Sequence, residues 1–565
     1  MRKQTKIAAI VSAAALLAIG ASMTSFAATG WQEEDGTWVY YNRAGEKVAN
    51  SWEYSGDNRF YLDDAGNMAT DSLIEDNDDY YYVDANGAMV RNRWVAIDNE
   101  SAGEENQPDV WWYYFQANGK AYKNTHASGS IFKKVINGKT YAFDEDGKMQ
   151  YGWIRKDEGV TSYDDNAFQE AEYYFGDEND GAMSIGWREI ALSDVADAES
   201  EQPGNSYWDS DQVRWFYFKS SGVKQINSTN KSINGRKYGF DQYGRMIADW
   251  HNNSLGLATY QNASRRGSSN NATATATAAY AKDFMYFSSP EDGARFTKGW
   301  FKVVPGYYLN QDDNDNGTDR WYYADGNGNL YAGEIKTIKG KKYAFDLKGG
   351  MIYGLALLRT DASNNILEYV DDDGKYDSQD TFTTTARNLG TDMAFYYFSD
   401  NEDKDGSMKT GTQKISLDGE SFTFSFKKGG MKKGQGVSGP SDKKYYLGGM
   451  LLTADIDNKI EVINVDDTSA DYLKKMSVQE FIRTIGVRGV DVESSKKIGQ
   501  ASKGETIYTP TGVDTDGADL TALTRKYVLV NVSGTVVKSG SKVDGDGFKV
   551  VLDGNNNIKQ IIGTN

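Results

Sequence analysis

Runs of four apolar or aromatic residues, each followed by polar turn residues and a glycine, recur along the chain. Trp112-Tyr113-Tyr114-Phe115 leads into Gln116-Ala117-Asn118-Gly119, Trp215-Phe216-Tyr217-Phe218 into Lys219-Ser220-Ser221-Gly222, and Trp321-Tyr322-Tyr323-Ala324 into Asp325-Gly326-Asn327-Gly328. Looser copies stand at Tyr80-Tyr81-Tyr82-Val83 and Phe395-Tyr396-Tyr397-Phe398. A short aromatic run closing on such a turn predicts a strand entering a hairpin. Side chains alternate along a strand, so Tyr113 and Phe115 share one face while Trp112 and Tyr114 share the other. A lone hairpin is marginal in water, whereas stacked hairpins bury a continuous face. The first face is therefore predicted to be core, and the second is left available to something else. The expected fold class is all-β, an elongated β-hairpin repeat solenoid with polar loop insertions.

Units close on Gly-x-Met or Gly-Met, as in Gly66-Asn67-Met68, Gly87-Ala88-Met89, Gly244-Arg245-Met246 and Gly430-Met431; nine of the 14 Met occupy this place and are expected in the core. Turn glycines at 45, 66 and 87 set a period of 21 residues. Two kinds of unit alternate. In one, the second face carries aromatic pairs such as Trp38 and Tyr40, Trp112 and Tyr114, Trp215 and Tyr217, or Trp321 and Tyr323. In the other it is small or polar, as in Thr140-Tyr141-Ala142-Phe143, Lys237-Tyr238-Gly239-Phe240 and Lys342-Tyr343-Ala344-Phe345. From Trp112 onward the order aromatic, blank, aromatic repeats three times with a spacing of roughly 105 residues. The implied division is an array of shorter units over 28–110, supermodules over 111–213, 214–319 and 320–455, and a β-rich tail or cap over 456–565. The low-complexity run from Asn252 to Ala281 reads as a surface excursion.

Composition narrows the function. The 565 residues carry a formal charge of −19 and 13% aromatics, including 13 Trp and 38 Tyr. Bulk acidity argues against nucleic acid, which is captured by basic faces. Arg2, Lys3 and Lys6 precede an apolar run, and Ser25-Phe26-Ala27 offers small residues at a cleavage point, so residues 1–27 read as a secretory signal. Its removal would take the formal charge from −19 to −22. No later apolar run reaches spanning length, so no transmembrane segment is expected after signal removal. With 0 Cys, disulfides are excluded. The two His, His126 and His251, read as solvated loop residues, and no nucleophile elbow or His-Glu-x-x-His occurs. Carboxylates cluster in turns such as Asp144-Glu145-Asp146-Gly147, where Asp serves turn geometry. Asp312-Asp313-Asn314-Asp315-Asn316-Gly317 imitates a calcium loop, but Tyr323 stands where the closing Glu belongs. No catalytic residue, metal ligand or cofactor is predicted, and the chain is not expected to be an enzyme.

The run Gly30-Trp31-Gln32-Glu33-Glu34-Asp35-Gly36-Thr37-Trp38-Val39-Tyr40 resembles the cell-wall-binding repeat of choline-binding proteins. Further Gly-Trp pairs stand at Trp153, Trp187 and Trp300, with weaker versions at Trp52, Trp94 and Trp250. The blank units are similar to glucan-binding repeats of glucosyltransferases and to receptor-binding repeats of large glucosylating toxins. The resemblance covers roughly residues 30–450 and implies ligand sites between successive hairpins. In the choline-binding branch it implies an aromatic cage of the Gly-Trp residue, the strand Trp and a ring of the neighbouring hairpin, here Trp31 and Trp38 with Tyr61. Ring faces hold a quaternary ammonium by cation–π attraction of about 0.5–2 kcal/mol per contact. Arg59 stands at the strand-Trp position of the second unit and disfavours an ammonium there. The ligand-binding candidates are Trp31, Trp38, Tyr40, Tyr61, Trp112, Tyr114, Trp153, Trp187, Trp215, Tyr217, Trp300, Trp321 and Tyr323. The expectation is a noncatalytic secreted protein held at a Gram-positive-type wall through teichoic-acid choline or polysaccharide. A glucan-binding or host-glycan adhesin, a structural spacer whose rings are consumed in packing, and a wall hydrolase are the alternatives.

Overall fold

The computed structural model describes residues 29–126, 129–163, 167–192, 213–252, 273–371, 374–399, 405–493, 499–510 and 524–564. The expected cleavage point after Ala27 lies outside them. Strands dominate and helices are few. Two compact units are distinguished: residues 1–193 with 216–225, and residues 194–215 with 226–565.

The first unit begins with four antiparallel hairpins, Gly30–Glu34 with Thr37–Tyr41, Ser51–Ser55 with Asn58–Leu62, Ser72–Asp76 with Asp79–Val83, and Arg93–Asp98 with Val110–Phe115. Three-stranded sheets built on Lys139–Phe143 and Tyr173–Asp177 follow. Asn137-Gly138 closes a two-residue hairpin loop with both φ positive, 49° and 82°, the backbone twist that matches paired strands and that Asn-Gly supplies with least strain. The wider turns rest on Asp: the Asp84 carbonyl accepts Gly87 N–H at 2.7 Å, and its Oδ1 accepts Asn86 and Ala88 N–H at 2.9 and 3.1 Å. Asp144, Asp325 and Asp346 repeat the arrangement.

The predicted inner face is core: Val39, Tyr113, Phe115, Phe216 and Phe218 are buried. The opposite face is not left free. In the first two hairpins a Trp of that face packs against the inner face of the next, as where Trp31 meets Phe60 (ring centroids 5.4 Å) and Trp52 meets Tyr81 (5.2 Å). The small residues of the blank units are equally covered. Ala142 and Ala344 are fully buried, and a Cβ at Gly239 would fall 2.8 Å from the Phe287 ring. Smallness there answers a close approach of backbone to a flat ring.

Methionines join consecutive hairpins. The Met68 side chain lies on Gly87, Met89 on Gly119, Met183 on Gly222 and Met351 on Gly406, each so close that an added Cβ would fall 2.2–2.8 Å from sulfur. Met431 departs from expectation, being 93% exposed.

In the second unit, Gly299–Val303 pairs with Arg320–Ala324, and Lys341–Phe345 centres a three-stranded sheet. The 252–281 stretch is not wholly an excursion. Ala274–Lys282 is helical, capped by Thr273, whose side chain accepts Ala276 N–H, and it buries Ala278 and Ala281 against Phe284, Phe301 and Tyr322. Alanine-rich sequence favours helix once one face has a core to meet. Helices beginning at residues 167, 274 and 379 recur 107 and 105 residues apart, the spacing of the aromatic strand starts. Toward the C-terminus, strand Ile460–Asn464 and strand Tyr527–Asn531 pair, and Ile463 and Val530 share a core with Phe424, Phe426 and Leu452.

Candidate functional site: aromatic cages between hairpins

Trp31 and Tyr40 face each other across the first hairpin, 5.3 Å between centroids and nearly edge to face. The Trp31 indole N–H donates to the Tyr54 carbonyl of the second hairpin at 3.0 Å, fixing the ring across the gap. Trp38 lies on the same face as Trp31 by strand alternation. Trp31, Trp38, Ser55, Phe60 and Met68 line a shallow cleft that is open to solvent. Its walls are three aromatic rings and a thioether, with no charged group among them. Such a lining suits an apolar-clad cation, which ring faces attract without demanding a hydrogen bond.

Tyr61 does not join this cleft. It follows Phe60 on the strand, so its ring points to the opposite face and packs on Trp52 at 5.0 Å. The neighbouring hairpin's ring in the first cage is Phe60. The Tyr61 phenol is pushed above its usual pKa by burial, with Asp76 adding to the shift, so it stays neutral.

The second hairpin repeats the plan. Trp52 is buried between Tyr61 and Tyr81, its N–H donating to Asp76 Oδ2 at 3.1 Å. At the fourth hairpin, Trp94 packs on Tyr114 at 5.3 Å, on Tyr141 at 4.8 Å and on Phe143 at 5.8 Å, with Trp112 beside it in the same cluster. Trp300 does the same with Tyr323 (5.1 Å), Tyr343 (4.9 Å), Phe345 (5.6 Å) and Trp321 (6.4 Å). Trp153 is buried between Tyr174 and Phe216, with the Lys224 ammonium 5.2 Å from its ring centre. Trp187 meets Tyr217 edge to face at 5.2 Å. Trp215 is partly buried in the second unit, where its carbonyl accepts Met246 N–H at 2.8 Å.

Trp52, Trp94 and Trp250 occupy the Gly-Trp place as fully as the residues singled out above. The signal for them is a residue one or two places earlier that tolerates left-handed backbone: Asn50, Asn92 and Asp249 have φ of 49°, 51° and 53°. The His251 expectation is corrected. It lies in strand Asp249–Asn252, edge-on to Phe287, and burial lowers its imidazole to about 4. His126 is exposed. Among the described residues no group of three or more His, Cys, Asp or Glu could hold a metal, and no helix is long and apolar enough to cross a membrane.

Comparison with known proteins places these hairpins in context. The choline-binding repeat family matches residues 49–94. Glucosyltransferase-S of Streptococcus mutans serotype c (strain ATCC 700610 / UA159) is 24% identical over 291 residues, a match covering 46% of this chain and 16% of that protein. Among solved structures, the modular autolysin LytC of Streptococcus pneumoniae, in complex with a synthetic peptidoglycan ligand, gives a TM-score of 0.30 at 16% identity over 59% of this chain and 55% of LytC. Choline binding protein F of the same species, with a peptidoglycan analogue, gives 0.30 at 17% identity over 73% of this chain and all of that one. The choline-binding domain of CbpL gives 0.24 at 22%, over 39% and 88%. The chain therefore carries a choline-binding repeat over residues 49–94, in the second and third of its stacked hairpins.

Proposed function

We propose that this chain is a noncatalytic binding protein that holds a choline-bearing cell-wall polymer in cages between successive hairpins. The cleft of Trp31, Trp38, Phe60 and Met68 carries the reading: three rings and a thioether around an open, uncharged space. The acidic chain attracts a cation and repels a polyanion. Single cages are weak, and several on one chain would act together through effective concentration. The turn carboxylates, committed to main-chain N–H groups, suit a scaffold better than acid–base chemistry. Secretion and retention at a Gram-positive-type wall follow from this reading.

Purified protein should be retained on a choline-substituted matrix and released by free choline, with Trp31→Ala or Trp38→Ala weakening retention at unchanged far-ultraviolet circular dichroism. Indifference to the choline matrix, with capture on insoluble α-glucan reversed by oligosaccharide, would replace choline by glucan. The likeness to glucosyltransferase-S motivates that second arm.

A further inference from the structure

The first two hairpins superpose position for position in their contacts. Trp31 corresponds to Trp52, Tyr40 to Tyr61, Phe60 to Tyr81 and Met68 to Met89. The main chain fixes one more pair: the Trp38 carbonyl accepts Met68 N–H at 2.7 Å, and the Arg59 carbonyl accepts Met89 N–H at 2.8 Å. Arg59 therefore stands where Trp38 stands. Its guanidinium folds back over the rings of its own hairpin. The carbon at its centre lies 4.9 Å from the Trp52 ring centre and 5.7 Å from that of Tyr54. Its Nε is buried without a hydrogen-bond partner. A guanidinium is weakly hydrated and suits an aromatic face. In the first cage that place belongs to the uncharged Trp38 ring, one wall of the solvent-open cleft.

We infer that Arg59 is a built-in occupant of the second cage, a chain-borne cation that closes the site to quaternary ammonium ligands. Lys224 over Trp153 shows the same economy elsewhere in the first unit. The inference deepens the proposed function, since it makes position 59 a determinant of how many cages take ligand. It also means that residues 49–94, the stretch matching the choline-binding repeat, hold a self-filled cage, while the open one begins upstream at Trp31.

Isothermal titration of the full chain with choline chloride tests it. Arg59→Trp should raise the saturating stoichiometry by one site, and the reciprocal Trp38→Arg should lower it by one. A wild type that binds choline, with Arg59→Trp unchanged in stoichiometry, overturns the inference and leaves the proposed function standing. Arg59→Ala supplies a readout that holds even if Arg59→Trp does not fold or the wild type ignores choline. Tetramethylammonium should raise its melting temperature by about 1–3 °C more than it raises that of the wild type. Equal shifts in the two proteins overturn the inference. A larger shift in Arg59→Ala, with no choline uptake by the wild type, supports the filled cage and removes the proposed function alone.

Discussion

Replacing Asp249 by Asn should stabilise the protein at neutral pH and do nothing in acid. Asp249 is the residue before Trp250, and its backbone sits in the left-handed region at φ 53°. Burial raises its carboxyl from the usual 3.8 to about 6, with the charge of Glu291 adding to the shift. A raised carboxyl binds its proton more tightly folded than unfolded. Its contribution to stability is full below about pH 3.8 and is lost as pH rises through about 6. A shift of about two units corresponds to at most about 3 kcal/mol. The group is only partly buried, so about 1–2 kcal/mol is expected at pH 7.5. Asn mimics the protonated form in shape and is well tolerated at positive φ, so neither strain nor volume offsets the gain. His251, two residues on, works in the opposite sense. Its lowered pKa gives stability above about 6.5 that is lost as pH falls through about 4, but it is common to both proteins and cancels in the difference. Thermal unfolding of wild type and variant from pH 4 to 8 measures that difference. The melting temperatures should coincide near pH 4 and separate by about 1–4 °C by pH 7.5. A constant gap across the range would refute the titration argument, and a less stable variant at pH 7.5 would mean that the carboxylate has a partner it needs.

Gly87→Ala should lower stability by about 1–3 kcal/mol, from a non-glycine residue at φ +79° and a Cβ 2.8 Å from Met68 sulfur; urea unfolding measures it, and adding Met68→Ala should recover only the steric part. Lys339→Asn should stabilise by about 0.5–1 kcal/mol, because Lys339-Gly340, at φ 47° and 82°, closes the same two-residue loop that Asn137-Gly138 and Asn234-Gly235 close elsewhere. Phe60→Ala should weaken choline binding alongside Trp38→Ala, whereas Tyr61→Ala should leave the first cage's affinity unchanged, with Trp31 fluorescence titration as the readout.

Strand positions were legible because two physical signals coincide at each hairpin. An aromatic run of period two is punctuated by Asp-x-x-Gly or Asn-Gly turns, and both requirements are local to the chain. The partnership of Trp31 with Phe60 rather than Tyr61 was not legible. Both residues are aromatic and adjacent, and only the packing of one hairpin face on the next decides which ring is presented. The same limit hid the helix at Ala274–Lys282. Its alanine and threonine run has no amphipathic stripe of large residues, and small side chains become helix-defining only when Gly333 lets Ala278 approach.

Packing both faces of a hairpin raises a physical question, since a ring buried on both sides has nothing left for ligand. The first cage resolves it by geometry. Trp31 spends its edge on Tyr40, Phe60 and the Tyr54 carbonyl, and Trp38 and Met68 complete the walls of the cleft that remains open to solvent. At the second hairpin Arg59 stands in place of Trp38 and lays its guanidinium over the Trp52 ring. Near Trp153 the chain again places a cation, Lys224, whose ammonium also donates to the Phe168 carbonyl. One scaffold thus yields open and self-filled cages through the identity of a single side chain, without altering the strands or turns that hold it. Ligand capacity can drift along such a repeat while stability is conserved, because the filling cation contributes the cation–π contact that a ligand would have made.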